Sequence, residues 1–199
     1  IVSFVTIRMV KQLKNLTTSE TTYTQLKIMY WFFSHPDKGV SLSDIASELR
    51  ISKTIASISI NYFVNEGFLK KEVFGRTWRI SCNKEHPLNS TLKVSYNLGM
   101  IYSSPIISEI HKMIPNSRAI VLFGSYRKGD DTEKSDIDIA VEVLSDEKPQ
   151  IIELGLVQMG YRKNVLVNLH VFSRNKVDLN LFANIANGIV LEGFLEVRP

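Results

Sequence analysis

The feature that most constrains the fold of this 199-residue chain is a pair of β-type segments joined by a glycine-rich turn. Residues 118–123 form a short apolar run that leads directly into the sequence GSYRKG of residues 124–129. Residues 135–142 then alternate polar and apolar side chains with the period of a β-strand. Two strands around a tight turn predict an α/β domain with a mixed sheet in the second half of the chain.

The alternating strand carries two carboxylates on one face. Residues two apart in a strand point to the same side, so Asp136 and Asp138 project together. Two such carboxylates repel each other unless a cation lies between them, and Mg²⁺ is commonly held by one or two carboxylates, waters and substrate phosphates. Gly124 leaves room for a close approach, and the Ser125 hydroxyl and nearby amides favour a phosphate. The pattern predicts a site for a divalent cation and a phosphate.

The segment GSYRKGDDTEKSDIDIAVE, residues 124–142, resembles the motif of minimal nucleotidyltransferases in the DNA polymerase β-like superfamily. Gly-Ser follows one strand and Asp-x-Asp lies on the next, and the resemblance extends over residues 106–193. It implies a nucleotidyltransferase-fold domain in which Asp136 and Asp138 are catalytic and hold Mg²⁺ or Mn²⁺. It also implies a nucleoside triphosphate substrate, bound by Gly124, Ser125, Arg127, Lys128 and Ser135.

One position departs from the family pattern. The family places a third carboxylate on a later strand, and the matching segment, residues 165–172, offers Asn168 and His170 instead. Asn168 is a weaker ligand for a hard cation and cannot act as a general base; His170 can act as a base but is a poor ligand for Mg²⁺. Glu142 lies roughly 13 Å along the strand from Asp138, too far to share its metal. Asp178 supplies the third carboxylate only if the matching strand does not lie at residues 165–172.

The first half has the element order of a winged helix-turn-helix. Apolar spacing predicts a helix over residues 22–34, a second helix capped by Ser41, and a third helix from Lys53 to about Glu66. Gly67 and two β-prone runs around residues 74–76 predict a hairpin. Residues 41–81 resemble the winged-helix family, whose third helix enters the DNA major groove while the wing contacts the backbone. The resemblance implies DNA contacts by Lys53, Thr54, Ser57, Asn61, Lys70, Lys71, Arg76 and Arg79.

Charge supports this division of the chain. Residues 1–100 hold 13 basic and 7 acidic side chains, whereas residues 101–199 hold 11 and 13. A basic first half favours a polyanion, and an acidic second half tolerates a cation. We therefore predict a winged-helix domain over residues 1–90 and a nucleotidyltransferase-like domain over residues 91–199, in an α+β protein of two domains.

Composition places the chain in a broad class. The single cysteine, Cys82, excludes an intrachain disulfide and fits a reducing compartment, so we expect a cytoplasmic protein. No apolar run approaches the roughly 18 residues of a membrane span, and residues 1–16 lack the pattern of a signal peptide. We expect a homodimer, because winged helices often bind paired half-sites; a partner protein is a further possibility.

Three interpretations remain open at this level. The first is an active nucleotidyltransferase with an altered metal site, acting on a protein, a small molecule or a nucleic acid. The second is a degenerate transferase that binds nucleotide, metal or a partner protein without turnover. The third is a DNA-binding regulator that senses a nucleotide. Asn168 separates the first interpretation from the other two.

Overall fold

The structure is a computed structural model that describes residues 22–144 and 148–197. The chain divides into two compact units, one ending at His86 and the other beginning at Pro87. Residues 1–16, for which a signal peptide was not expected, lie outside the described residues. In the described part of the chain, no helix combines the length and apolar character needed to cross a bilayer.

The first unit begins with three helices whose starts are fixed by hydroxyl caps. They are α1 (Tyr23–Ser34), α2 (Leu42–Glu48) and α3 (Lys53–Asn65). The side chains of Thr22, Ser41 and Ser52 each accept a hydrogen bond from the backbone N–H three residues later. Each cap satisfies an amide that the first helical turn leaves unpaired. The short polar residues between the apolar stripes therefore set where each helix starts.

A hairpin completes the first unit. Strands β1 (Leu69–Phe74) and β2 (Thr77–Cys82) pair antiparallel, and Val40 forms an isolated bridge to Ile80. Aromatic and aliphatic side chains fill the space between helices and hairpin: Trp31, Phe32, Phe33, Ile45, Ala56, Ile60, Phe63, Phe68 and Ile80. The order of elements is the predicted one. The assignment to the winged-helix family and its binding of DNA stay predictions.

The second unit is a five-stranded sheet with helices on both faces. Its elements are α4 (Leu88–Ser103), α5 (Ile106–Met113), β3 (Ser117–Phe123), α6 (Gly124–Lys128), β4 (Ile137–Val143), β5 (Gln150–Met159), β6 (Arg162–Phe172), α7 (Leu179–Ala186) and β7 (Ile189–Gly193). The strand order is β5-β6-β4-β3-β7, and β4 and β6 are parallel while the other neighbours are antiparallel. The sheet is mixed, as the sequence predicted.

Each face of the sheet has its own apolar cluster. On one face, α4 and α5 pack through Ile101, Ile106 and Ile110 onto the strands. On the other face, α7 and the segment after β7 pack onto β3, β4 and β6 through Ile185 and Leu195. We call this second face the site face, because Asp138 lies on it beyond the apolar cluster.

Several predicted boundaries shift. The sequence predicts a connecting helix over residues 91–102, and it fits residues 150–161 to either a strand or a helix. The helix begins at Leu88, and Gln150–Met159 form the strand β5, which makes a hairpin with β6. The sequence also predicts a last strand over residues 189–196, but this strand ends at Gly193. Gly193 has a φ of +78°, and a Cβ there would lie 2.2 Å from the Arg118 carbonyl oxygen. This left-handed, tightly packed glycine ends the regular strand.

A buried polar network supports the loop between α6 and β4. Lys93 on α4 and Asp131 in the loop are 2% and 3% exposed, and their charged groups are 3.1 Å apart. Asn97, one turn further along α4, donates hydrogen bonds to the Asp131 carboxylate (2.8 Å) and the Tyr126 carbonyl (3.0 Å). Buried charges persist only when they are paired and hydrogen-bonded. These contacts fix α6 and the loop against α4.

Arg162 extends this network to the residues next to Asp136. Its guanidinium donates to the Tyr126 hydroxyl (2.7 Å) and to the carbonyls of Glu133 (2.9 Å) and Ser135 (2.8 Å). Burial raises the pKa of Tyr126, with Arg162 opposing the shift and Asp131, Tyr96 and Asp136 adding to it, so its hydroxyl stays neutral. The network therefore holds the backbone that leads into β4.

We predict that Lys93→Met will destabilise the second unit by about 3 kcal/mol, because it leaves the buried Asp131 carboxylate without its closest cation. Urea unfolding followed by far-UV circular dichroism measures the loss. Both tryptophans, Trp31 and Trp78, lie in the first unit, so their fluorescence provides an internal control that should not shift. A second-unit transition at the wild-type urea concentration would contradict the prediction.

Candidate functional site

The turn after β3 contacts the strand that carries Asp138. Phe123, the last residue of β3, pairs with Asp138 on β4, and Gly124 begins α6 with a φ of +71°. A Cβ on Gly124 would lie 2.7 Å from Oδ2 of Asp138. Only glycine permits both this backbone conformation and this close approach. The Gly-Ser turn and the second aspartate of Asp-x-Asp therefore lie side by side, and their roles in binding stay predictions.

The two aspartates have different surroundings. Asp136 precedes β4 and is exposed. The Asp138 side chain is 31% exposed, and its Oδ1 lies 3.2 Å from Nε2 of His170. Oδ2 is the oxygen nearest Gly124. His170 thus contacts one oxygen of the carboxylate and leaves the other facing the Gly-Ser turn.

Strand β6 places Asn168 and His170 beside the Asp-x-Asp strand. In the parallel register of β4 and β6, Asn168 pairs with Asp138 and His170 with Ala140. The His170 ring packs edge-on against Phe123, with 4.9 Å between ring centroids. Asn168 therefore places an uncharged amide at the strand position adjacent to Asp138.

The other acidic candidates lie away from Asp138. Glu142 is 1% exposed, and its carboxylate lies 3.3 Å from the Arg174 guanidinium. Asp178 caps α7 by accepting hydrogen bonds from the N–H groups of Asn180 and Leu181. Since β6 covers residues 162–172, Asp178 falls beyond the strand. Both residues have structural partners that explain their presence.

The remaining predicted nucleotide ligands lie around the same turn. Arg127 and Lys128 form the last turn of α6, where Lys128 is exposed and Arg127 is half-buried. The Ser135 hydroxyl accepts a hydrogen bond from the N–H of Thr132 at 2.9 Å. Ser125 follows Gly124 and is half-buried. Ser135 organises the loop before Asp136, while Ser125 lies next to the glycine that contacts Asp138.

The sequence interpretation missed the supporting residues Lys93, Asn97, Tyr126, Asp131 and Arg162. Their signal was weak but present, because a lysine and an asparagine four residues apart interrupt the buried side of a predicted helix. Such a pair has to meet polar partners when it is buried. The partners come from residues 29 to 38 positions away in sequence, which the spacing of one segment does not reveal.

The metal-binding capacity of the site rests on the two aspartates. Among the residues that the structure describes, no three His, Cys, Asp or Glu side chains are grouped so as to hold a metal ion. Two carboxylates fit a Mg²⁺ ion that takes its other ligands from waters and phosphates. The two carboxylates therefore fit a metal ion that binds together with a phosphate substrate. They fit poorly a metal ion whose ligands all come from the protein.

The predicted DNA-contacting residues form a mixed surface on the first unit. Lys53 and Thr54 are exposed at the start of α3, Ser57 and Asn61 are half-buried, and Ile58 between them is 66% exposed. The other predicted residues, Lys70, Lys71, Arg76 and Arg79, lie on or between the hairpin strands.

Three of these hairpin cations have partners within the first unit. Lys71 donates to the Asn61 side chain at 2.7 Å and lies 4.3 Å above the Trp78 ring. The salt bridges of Lys70 with Glu85 (3.7 Å) and of Arg79 with Glu72 (3.8 Å) are exposed pairs. Exposed pairs of this kind are weak, so a phosphate can compete for these cations.

Comparison with known proteins assigns only the second unit. Residues 106–192 match the family model described as polymerase beta, nucleotidyltransferase. The matched residues contain the Gly-Ser turn, both aspartates, Asn168 and His170. No curated protein matches the chain. The match supports a nucleotidyltransferase domain over residues 106–192.

Proposed function

We propose that the second unit binds a nucleoside triphosphate with Mg²⁺ and transfers its nucleotidyl group to an acceptor. The observation that carries the proposal is the close approach of Gly124 to the Asp138 carboxylate. A Cβ added to Gly124 would lie 2.7 Å from Oδ2 of Asp138. Phosphates bound along the Gly-Ser turn would lie directly beside that carboxylate. A shared cation then neutralises both the carboxylates and the phosphates.

The roles of the residues follow from their positions. Gly124 allows the phosphates to approach the backbone, and the Ser125 hydroxyl and Arg127 are placed to bind phosphate oxygens. Asp136 and Asp138 hold the cation, which when bound supplies charge stabilisation at the α-phosphate and the leaving pyrophosphate. His170 orients Asp138 through Oδ1, so that Oδ2 faces the turn.

Asn168 separates the active from the degenerate interpretation. A neutral amide beside Asp138 weakens the metal site when no substrate is present, since it adds no negative charge. It does not remove the two carboxylates that Mg²⁺ needs in a site completed by phosphates. We therefore favour a working transferase over a degenerate nucleotide-binding domain.

We predict that the wild-type protein releases pyrophosphate from at least one of ATP, CTP, GTP and UTP with Mg²⁺ or Mn²⁺. Asp136→Asn/Asp138→Asn should abolish release, because it removes both charged metal ligands, whereas Asn168→Asp should keep or raise it. Glu48→Gln on α2 provides an isosteric control. Metal-dependent nucleotide binding without release, in wild type and in Asn168→Asp, would instead establish a degenerate site.

A second function is supported by the first unit. We propose that α3 and the hairpin bind duplex DNA, with the exposed cations Lys53 and Arg76 on phosphates. The basic excess of residues 1–100 supports this proposal. We also propose that this unit forms a homodimer on paired half-sites and offers the exposed Ile58 to a partner protein. A reducing, cytoplasmic setting suits both proposed functions.

We predict that Lys53→Ala/Arg76→Ala lowers affinity for a random-sequence duplex about 10-fold and reduces the salt slope by about 2, roughly one for each lost phosphate contact. Fluorescence anisotropy at several salt concentrations measures both quantities. Lys163→Ala/Lys176→Ala, which removes two exposed lysines of the second unit, serves as the charge-matched control. Affinity and slope equal to those of wild type would reject this surface as the DNA site.

A further inference from the structure

A row of three polar residues crosses the site face of the sheet. Asn168 on β6 pairs with Asp138 on β4, and on its other side it pairs with Glu153 on β5. Directly paired residues on neighbouring strands send their side chains to the same face. Asp138, Asn168 and Glu153 therefore lie side by side, in that order, toward the edge of the sheet.

The neighbours of Glu153 confirm which face it occupies. Ile152 and Leu154 pack against the apolar cluster beneath α4 and α5, together with the buried Val167 and Leu169 of β6. Because successive side chains in a strand alternate, Glu153 points to the opposite face, where His170 contacts Asp138. Glu153 is exposed there. Glu153 is not among the predicted site residues, because the sequence of residues 150–161 fits either a strand or a helix.

The separation of the carboxylates excludes a shared metal ion. Neighbouring strands lie roughly 4.8 Å apart, so the backbone of Glu153 is about 10 Å from that of Asp138. This agrees with the finding that the described residues contain no group of three metal-holding side chains. A general base, however, has to reach the acceptor oxygen rather than the metal.

The order of strands places the Gly-Ser turn and Glu153 on opposite sides of Asp138. The Gly-Ser turn leaves β3, on one side of Asp138, whereas Glu153 lies on β5, on the other side. In phosphoryl transfer the attacking oxygen and the leaving pyrophosphate lie on opposite sides of the phosphorus. With the triphosphate at the turn, the acceptor has to approach from the side of β5. In the described sheet β5 is an edge strand, so this approach is open.

We propose that Glu153 is the general base for the acceptor hydroxyl, in place of the carboxylate that Asn168 lacks. This inference rests on the proposed nucleotidyl transfer. The Glu153 carboxylate takes the hydroxyl proton, and the acceptor oxygen forms a bond to the α-phosphorus. The bond from that phosphorus to the bridging oxygen of the β-phosphate breaks, and pyrophosphate leaves with the electron pair. Neither oxidant nor reductant is needed.

The alternative base, His170, lies on the wrong side of Asn168. Its Nε2 already contacts Asp138, and its ring packs against Phe123 at the end of β3. It therefore belongs to the metal and phosphate side of the row.

The test uses the full chain, the four nucleoside triphosphates and water as the acceptor, so that hydrolysis to nucleoside monophosphate and pyrophosphate is measured. Glu153→Gln should lower kcat roughly 100-fold or more, as loss of a general base does, and leave KM unchanged. Glu153→Gln/Asn168→Asp should recover much of the lost kcat, because it returns a carboxylate to the neighbouring strand. Glu48→Gln should behave as wild type.

The possible outcomes distinguish failure of the Glu153 role from failure of the proposed nucleotidyl transfer. A kcat for Glu153→Gln equal to that of wild type overturns the role of Glu153 and leaves nucleotidyl transfer standing. A parallel loss of melting temperature or nucleotide affinity assigns Glu153 a structural role and also overturns the inference. Absence of pyrophosphate release from both wild type and Asn168→Asp overturns both proposals.

Discussion

The candidate site depends on the position of β4 between β3 and β6. One neighbour brings the Gly-Ser turn against Asp138, and the other brings Asn168 and His170 beside it. The same strand contributes Ile137, Ile139 and Val141 to the apolar cluster under α4 and α5. Slipping the register by one residue would exchange the polar and apolar faces, so hydrophobic burial fixes the geometry of the aspartates.

The loop that enters β4 is held by polar contacts rather than by apolar packing. Lys93 and Asn97 on α4 and Arg162 on β6 all contact residues of α6 or of the loop between α6 and β4. Buried networks of this kind are costly when one member is missing and rigid when complete. Their rigidity fits a site that has to place Asp136 beside Asp138 without a third carboxylate to organise them.

Local patterns were sufficient to predict most helices and strands. Caps, glycines and alternation identified the three helices and the hairpin of the first unit, the Gly-Ser turn, and the strand with the two aspartates. Residues 150–161 stayed ambiguous, because the run of apolar residues fits either a strand or a helix, and only pairing with β6 decided it. Glu153 could not be predicted for the same reason. Its place beside Asn168 follows from the register between β5 and β6, and this register is not visible in the sequence of either strand alone.

The most direct test of the account is Mn²⁺ binding, measured by electron paramagnetic resonance with and without a non-hydrolysable nucleoside triphosphate analogue. Two carboxylates without a third predict weak binding of Mn²⁺ alone. They also predict binding at least about 10-fold tighter with the analogue, since its phosphates complete the coordination. Asp136→Asn/Asp138→Asn should lose the tight binding. Equal Mn²⁺ affinity with and without the analogue, or tight binding that survives the double substitution, would contradict a metal site built from Asp136, Asp138 and the phosphates.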